Sequence, residues 1–225
     1  MPTFAAPSAL DTAPPDASVR DPNRFVDSDH PAVVAFAEEH RGDTDRATAV
    51  ALFYAVRDML RYNPWRVRFE AKDYTSSGVL LRDRAEGAHC IDKALLLAGA
   101  ARAAGIPARL RFANVRNHVG TARLEEKLGT DLLVFHGWTE LWLGERWIGV
   151  TPAFNKELCD HLGVAPLEFD GEHEAVFQEY DRGGDRFMEY VTDHGAHPDV
   201  PMTAMLAAWE EHYPAVRERR WPRPR

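Results

Sequence analysis

Apolar residues recur at helical spacing in the first half of the chain and at strand spacing in much of the second half. Asp29 to His40 is predicted to form a helix, with Asp29 as its N-cap and Pro31 in its first turn. Thr44 is predicted to cap a second helix through Leu60, where Val50, Phe53 and Leu60 fall on one apolar face. These two segments predict packed helices before the centre of the chain.

The clearest predicted element is a third helix from Ala88 to about Ala104, which is rich in Ala and Leu and is closed by Gly105. Ala108 to Val115 then alternates as a strand does. Two segments rich in β-branched and aromatic residues, Leu132 to Leu143 and Trp147 to Val150, flank a three-residue turn and predict a hairpin. Helices followed by antiparallel strands predict an α+β fold with helices against one face of a sheet.

Other segments give weaker signals. The segment from Trp65 to Arg84 is ambiguous, with Val79 to Leu81 as a short extended piece. Four further segments favour helices: Ala122 to Leu128, Lys156 to Leu162, Glu172 to Tyr180 and Pro201 to His212.

The chain divides into three predicted parts. Residues 1–22 are rich in proline among Ala, Ser and Asp, and predict an extended or disordered segment. Residues 23–215 predict a single domain, and residues 216–225 a basic tail that is interpreted as a solvated end. The 225 residues are enough to bury a sizeable core.

Composition narrows the function classes. Hydrophobic residues make up 45% and charged residues 28%, with a formal net charge of −8, so a nucleic-acid partner is not expected. No apolar run approaches the roughly 18 residues of a membrane helix, and no secretory leader is visible, so no membrane association is expected. Two cysteines without other export signals predict reduced thiols in a cytoplasmic protein. Nothing in the sequence specifies the oligomeric state.

Cys90 has the context of a nucleophile. Gly87 and Ala88 are small, and Cys90 falls in the first turn of the predicted central helix. A helix N-terminus carries partial positive charge and unpaired N–H groups, which stabilise a thiolate and lower its pKa. The N–H of Cys90 is also available to an oxyanion. Cys159 has no such context and is interpreted as a packed thiol.

His136 is the candidate base. It lies in a predicted strand with large apolar residues at alternate positions, which would hold it rigidly at the sheet. Spacing alone does not show that Cys90 and His136 meet, because such pairs are recognised by geometry. His89, the neighbour of Cys90, is expected at the rim of the site.

Five segments resemble the transglutaminase-like superfamily. Gly87 to Leu97 and Arg102 to Arg109 resemble its nucleophile helix with the following Gly-Ile-Pro-Ala-Arg, and His136 to Trp142 with Trp147 to Val150 resemble its histidine strand and the next strand. Arg57 to Pro64 is similar to the upstream helix end of bacterial members. The resemblance implies a papain-like core, Cys90 as nucleophile and His136 as base.

The sequence departs from the family at the third catalytic residue. Where the family usually has Val-Asp-Pro, the chain has Val150-Thr151-Pro152. A threonine hydroxyl can orient an imidazole but adds no charge, and in serine proteases losing the equivalent charge costs about 10⁴ in rate. Thr151 is therefore the first candidate by position. Three alternatives stay open: Asp170 as the second choice, and Asn155 and Asp193.

No cofactor or metal is predicted. The histidines in the second half of the chain have spacings that fit no compact zinc pattern. The group Asp193, His194, His197 and Asp199 lies close in sequence but is interpreted as solvated loop residues.

Two functions remain open. In the first, Cys90 attacks a peptide or protein amide, and His136 protonates the leaving amine and then activates water or an acceptor amine. Hydrolysis is favoured, because no device for excluding water is evident. In the second, Thr151 marks an inactive member that serves as a binding or scaffold module.

Overall fold

The computed structural model describes residues 13–66, 70, 74–117, 122–176 and 188–218. A short 3-10 turn at Ala17–Val19 comes before the first α-helix. The described residues of the first half of the chain form four α-helices: α1 (Pro31–Glu39), α2 (Asp45–Met59), α3 (Ser76–Arg82) and α4 (Cys90–Ala103).

The second half contributes an antiparallel sheet and shorter helices. Its elements are β1 (Ala108–Asn117), α5 (Ala122–Leu128), β2 (Leu132–Leu143), β3 (Arg146–Val150), α6 (Lys156–Leu162), β4 (Met188–His197), α7 (Met202–His212) and α8 (Pro214–Arg217). The strand order is β3-β2-β1-β4, and each neighbouring pair is antiparallel. The α+β prediction is confirmed.

Helix α4 runs through the core. Every residue from Ile91 to Arg102 is buried, because neighbouring helices cover one side of α4 and β2 lies against another. The Thr139 hydroxyl donates to the Ala94 carbonyl at 2.8 Å and fastens α4 to β2. Gly99 lies against the Ser76 side chain, where a Cβ would clash, so α3 approaches closely.

Several local predictions were wrong. His30, not Asp29, caps α1, because its Nδ1 accepts from the Ala32 N–H at 3.2 Å. The predicted extended piece at 79–81 is helical, since Thr75 caps α3. In the predicted helix at 172–180 the described residues, 172–176, are not helical, and the remainder lies outside the described residues. Strand β4 was not predicted.

A network of buried ion pairs beneath the sheet joins β1, β2 and β4, and it involves neither α4 nor the thiols. Glu140 is fully buried and accepts from Arg109 Nε at 2.5 Å and from Arg111 Nη1 at 3.3 Å. Arg111 also pairs with Asp193 at 2.5 Å. The guanidinium of Arg109 lies 4.0 Å from the ring centroid of Trp147. These charges compensate one another, which makes their burial tolerable.

Candidate active site

Cys90 is the first residue of α4, and His89 is the N-cap. His89 Nδ1 accepts from the N–H groups of Ile91 and Asp92, at 3.2 and 3.3 Å. The Asp92 carboxylate in turn accepts from the His89 N–H at 3.2 Å, which completes a capping box. His89 is therefore a buried structural cap rather than a rim residue, and it also lines the cavity that holds Cys90, the alternative place for this residue.

The thiol of Cys90 is half-buried at the helix start. The nearby backbone N–H groups of Gly137, Ile91 and Cys90 itself act to lower the pKa of the thiol. Burial nevertheless raises the pKa of Cys90 to about 11, and these donors only partly oppose that effect. The expectation of a lowered thiol pKa is therefore wrong, because loss of solvation outweighs the helix N-terminus.

A β-bulge in β2 sets the direction of the side chain of His136. Val115 pairs with Leu133 and Ala113 with His136, so two residues of β2 lie opposite Asn114 alone. The first, Val134, is followed by Phe135, whose φ of 60° is in the left-handed region. The Phe135 N–H donates to the Asn114 side chain at 3.0 Å and closes the bulge.

The bulge changes which way the following side chains point. Phe135 stacks on His194 with ring centroids 4.1 Å apart, which fixes the distorted residue against β4. A left-handed non-glycine residue costs about 1–3 kcal/mol, so neighbouring contacts must hold it. The next residue, His136, is thereby placed in the same cavity as Cys90.

The imidazole of His136 is buried and neutral. Only 4% of the residue is exposed, and Nε2 has no hydrogen-bond partner among the described residues. Burial, aided by nearby His89, lowers the pKa of His136 to about 4. The ring therefore presents an unprotonated base to the cavity at neutral pH.

One cavity of about 60 Å³ is lined by both Cys90 and His136. The two residues come from different elements, the start of α4 and the bulged segment of β2, and the fold brings them together. Gly137, the residue after His136, also acts on the thiol, since its N–H opposes the rise in the pKa of Cys90.

Thr151, the first candidate for the third catalytic residue, is directed elsewhere. Its hydroxyl donates to the Val176 carbonyl at 2.7 Å, and its N–H donates to the Ala175 carbonyl at 2.8 Å. Thr151 thus fastens the segment at 175–176 beside β3. Among the described residues, no side chain hydrogen-bonds to the His136 ring.

The three alternatives are also engaged in other contacts. Asn155 Oδ1 accepts from the Tyr62 N–H at 3.0 Å. Asp170 is exposed and pairs with His173 Nδ1 at 2.7 Å. Asp193 belongs to the ion-pair network beneath the sheet. The third member of the site therefore stays a prediction.

Tyr62 is a site residue that the sequence analysis missed. It forms an isolated β-bridge with Ala88, two residues before Cys90. The flanking bonds, Ala88 N–H to Arg61 carbonyl and Asn63 N–H to Ala88 carbonyl, are both 2.9 Å. Tyr62 lines the cavity, and no described residue hydrogen-bonds to its hydroxyl. The Tyr62–Pro64 segment was noticed only as a helix end.

Lys93 supports this part of the site from below. Its ammonium is fully buried and donates to the carbonyls of Arg57, Leu60 and Ala153 at 2.7–2.8 Å. Burial lowers the pKa of Lys93 to about 7. The sequence signal for this buried residue is a lysine within a helix that is otherwise rich in Ala and Leu. The three bonds hold the end of α2, which leads to Tyr62, against the loop after β3.

Within the described ranges, no group of three or more His, Cys, Asp or Glu side chains is placed to hold a metal ion. None of the described helices has the length and apolar character needed to cross a membrane.

Comparison with known proteins agrees with this arrangement. The family model of the transglutaminase-like superfamily matches residues 34–152, from α1 to just past β3. The chain therefore belongs to the transglutaminase-like superfamily, with the cysteine-bearing helix packed on the histidine-bearing sheet.

No curated protein matches the sequence. One similar solved structure is that of a candidate cysteine protease from Cytophaga hutchinsonii, with 16% identity and a TM-score of 0.44. The match covers 81% of this chain and 55% of that protein, so the chain spans about half of its length.

Proposed function

We propose that the protein catalyses cysteine-dependent acyl transfer on an amide or peptide bond, and that the usual outcome is hydrolysis. The observation that carries this proposal is that Cys90, at a helix N-terminus, and His136, with an unpartnered Nε2, line one cavity. An unpartnered buried nitrogen is costly unless it has a reaction partner. Family membership is consistent with a thiol nucleophile.

Catalysis starts from a neutral pair. The raised pKa of Cys90 and the lowered pKa of His136 favour S–H and neutral imidazole at rest. The thiol proton moves to the imidazole as the sulfur attacks the carbonyl carbon. When the carbon–nitrogen bond breaks, His136 returns that proton to the leaving amine and a thioester remains.

The second half of the reaction uses water. Neutral His136 removes a proton from the water molecule that attacks the thioester carbon. The carbon–sulfur bond breaks, Cys90 recovers its proton from the imidazolium, and the carboxylic acid leaves. An acceptor amine in place of water would give transamidation. Cys90 is partly accessible to solvent, which favours water as the acceptor.

The oxyanion needs two donors in a geometry set before the reaction. The first is the backbone N–H of Cys90. We propose the Tyr62 hydroxyl as the second, because it lines the cavity and donates to no described residue. The bridge to Ala88 and the Lys93 contacts hold Tyr62 in place.

One observation favours a second candidate function. Thr151 occupies the position where the family resemblance implies an Asp, and its hydroxyl donates to the Val176 carbonyl rather than to the imidazole. A member without that charge can serve as a binding module that retains the fold. In that case the cavity would bind a peptide without cleaving it.

The test is a screen of fluorogenic peptide amides with the intact chain. Cys90→Ala should abolish release, whereas Cys159→Ala, which changes the other thiol, should retain it. A substrate-derived mass increase on Cys90 after acid quench would identify the thioester. Binding of peptides without turnover in the intact chain and without any thioester would favour the binding module.

A further inference from the structure

The far wall of the cavity is built by residues beyond the family match. Trp209 on α7 and Tyr213 at the start of α8 line the cavity with Val134 of the bulge. The Tyr213 hydroxyl accepts from the Val134 N–H at 2.6 Å, and Trp209 Nε1 donates to the Val134 carbonyl at 2.9 Å. These bonds fix the two aromatic rings against β2.

The same bonds remove polar groups from the wall. Both backbone groups of Val134 and the polar atoms of both aromatic residues have partners within the protein. His89 uses Nδ1 as a helix cap and lies with Nε2 3.4 Å from the Tyr74 hydroxyl. These atoms therefore have their hydrogen-bonding partners inside the protein, and the wall presents mainly carbon surface to a ligand.

The rest of the wall is apolar. Besides Phe135, its other side chains are aliphatic or proline: Pro64, Ile91, Leu124, Leu128 and Leu133. No Asp, Glu, Asn, Gln, Lys or Arg is among the described residues that line the cavity. A buried polar atom without a partner in the described residues occurs at the reacting end, at His136 Nε2, and Tyr62 also lines the cavity.

The size of the cavity limits what it admits. Its volume is about 60 Å³, whereas an engineered apolar cavity of about 150 Å³ holds benzene. The space suits a short aliphatic group rather than an aromatic ring. A charged or amide side chain would lose its hydration there without a replacement partner.

We infer that the cavity is an acyl-side pocket that selects a small aliphatic side chain, of alanine to leucine size, on the residue whose carbonyl Cys90 attacks. This inference rests on the proposed function and deepens it. It predicts that a carboxamide or charged side chain on that residue is disfavoured, because the wall away from the reacting end offers it no polar partner.

The first test compares fluorogenic peptide amides that differ only in the acyl residue: Ala, Val, Leu, Phe, Gln, Glu and Arg. We expect kcat/KM for Val or Leu to exceed that for Gln, Glu and Arg by at least about tenfold, the scale of discrimination by apolar pockets. Equal rates across the series, or a preference for Gln or a charged residue, would overturn the inference.

A charge placed in the wall should reverse the preference. Leu124 is half-buried, so Leu124→Arg should be accommodated at the pocket edge. We expect it to raise the ratio of Glu to Leu cleavage by at least about tenfold. The matched control is Leu81→Arg at an exposed position on α3, which should leave the ratio unchanged. An unchanged ratio in folded Leu124→Arg would contradict the assigned wall.

A third measurement separates failure of the pocket from failure of the reaction. Aminoacyl chloromethyl ketones carrying Leu, Gln or Glu are mixed with the protein, and mass spectrometry measures alkylation of Cys90 as sulfur displaces chloride. If the Leu reagent labels Cys90 fastest but no amide is cleaved, the pocket is supported and the proposed hydrolysis is contradicted. If amides are cleaved but the three reagents label Cys90 at equal rates, the pocket alone is contradicted. If the labelling rates are equal and no amide is cleaved, the pocket and the hydrolysis are both contradicted.

Discussion

The hydroxyl of Thr151, the first candidate for the third catalytic residue, hydrogen-bonds to the carbonyl of Val176 at 2.7 Å. The residue is buried, so the bond satisfies a carbonyl that would otherwise lie without a partner away from water. Thr151 thus holds a neighbouring segment. The bulge and the packing around Phe135 place the imidazole of His136 instead.

Replacement of Thr151 should therefore affect stability more than chemistry. Thr151→Val keeps the shape and removes the hydroxyl, so the Val176 carbonyl loses its partner and unfolding should become easier by about 1–3 kcal/mol. We expect kcat/KM to fall by less than about tenfold, whereas His136→Ala should lose about 10³ or more. Urea unfolding and peptide-amide kinetics measure the two effects. Equal kinetic losses in the two variants would make Thr151 a third catalytic residue.

The thiol should react slowly at neutral pH. Because burial raises the pKa of Cys90 to about 11, the thiolate fraction and the iodoacetamide labelling rate should climb continuously from pH 7 toward pH 10. A neutral His136 contributes little to that pKa, so His136→Ala should leave the labelling profile nearly unchanged while turnover is lost. A labelling plateau below pH 8 that disappears in His136→Ala would instead indicate a preformed thiolate–imidazolium pair.

Acid should destabilise the protein through His136. Its pKa of about 4 in the fold lies below the usual histidine value of 6.5, so the unfolded chain binds the proton first as pH falls. Stability contributed by the neutral ring is complete above about pH 6.5 and is lost between that value and pH 4, by about 3 kcal/mol. The difference in unfolding free energy between wild type and His136→Phe, measured from pH 7 to 4, isolates this change. A difference independent of pH would contradict it.

Tyr62 should act through its hydroxyl alone. Tyr62→Phe keeps the edge-to-face contact with Phe154, where the ring centroids are 4.7 Å apart. Loss of one oxyanion donor should lower kcat by about 10²–10³ with little change in KM. Tyr54→Phe is the matched control, because the Tyr54 hydroxyl bonds to Glu168 outside the cavity. Equal kcat values for the two variants would remove Tyr62 from the oxyanion site.

Lys93 should contribute to the stability of the fold and take no part in the reaction. Lys93→Met has a similar length and leaves the carbonyls of Arg57, Leu60 and Ala153 without their donor. We expect a loss of about 3–5 kcal/mol in unfolding free energy, as for other broken buried polar clusters. Chemical denaturation measures this loss. A change below about 1 kcal/mol would show that water replaces the ammonium.

Local features were predictable from the sequence, and features set by tertiary packing were not. Gly105, with φ of 90°, ends α4 where a C′ glycine was expected, and the Ala- and Leu-rich run identified the helix that starts at Cys90. Strand β4 escaped because two register shifts break its alternation. The left-handed residue of the bulge is Phe135 rather than a glycine, so the sequence does not indicate the bulge.

The pKa of Cys90 could not be judged from its place on a helix. Burial depends on β2 and on the cavity wall, which are distant in sequence from the thiol. The start of α4 was predictable, but its N-cap was not, because histidine is rarely a capping residue and His89 takes this place. The same distance in sequence hid Tyr62, whose neighbour Ala88 becomes apparent only in the bridge.

Trp209 and Tyr213 contribute to the cavity from a segment that lies outside the family match. The thiol and imidazole lie within residues 34–152, whereas these two aromatic residues come from helices near the end of the described chain. Both hold the backbone of Val134 through their side chains, so a substitution at either position changes the cavity wall and loosens the bulged segment that carries His136. The proposed pocket therefore depends on a segment outside the family match, and that same segment helps to set the position of the base.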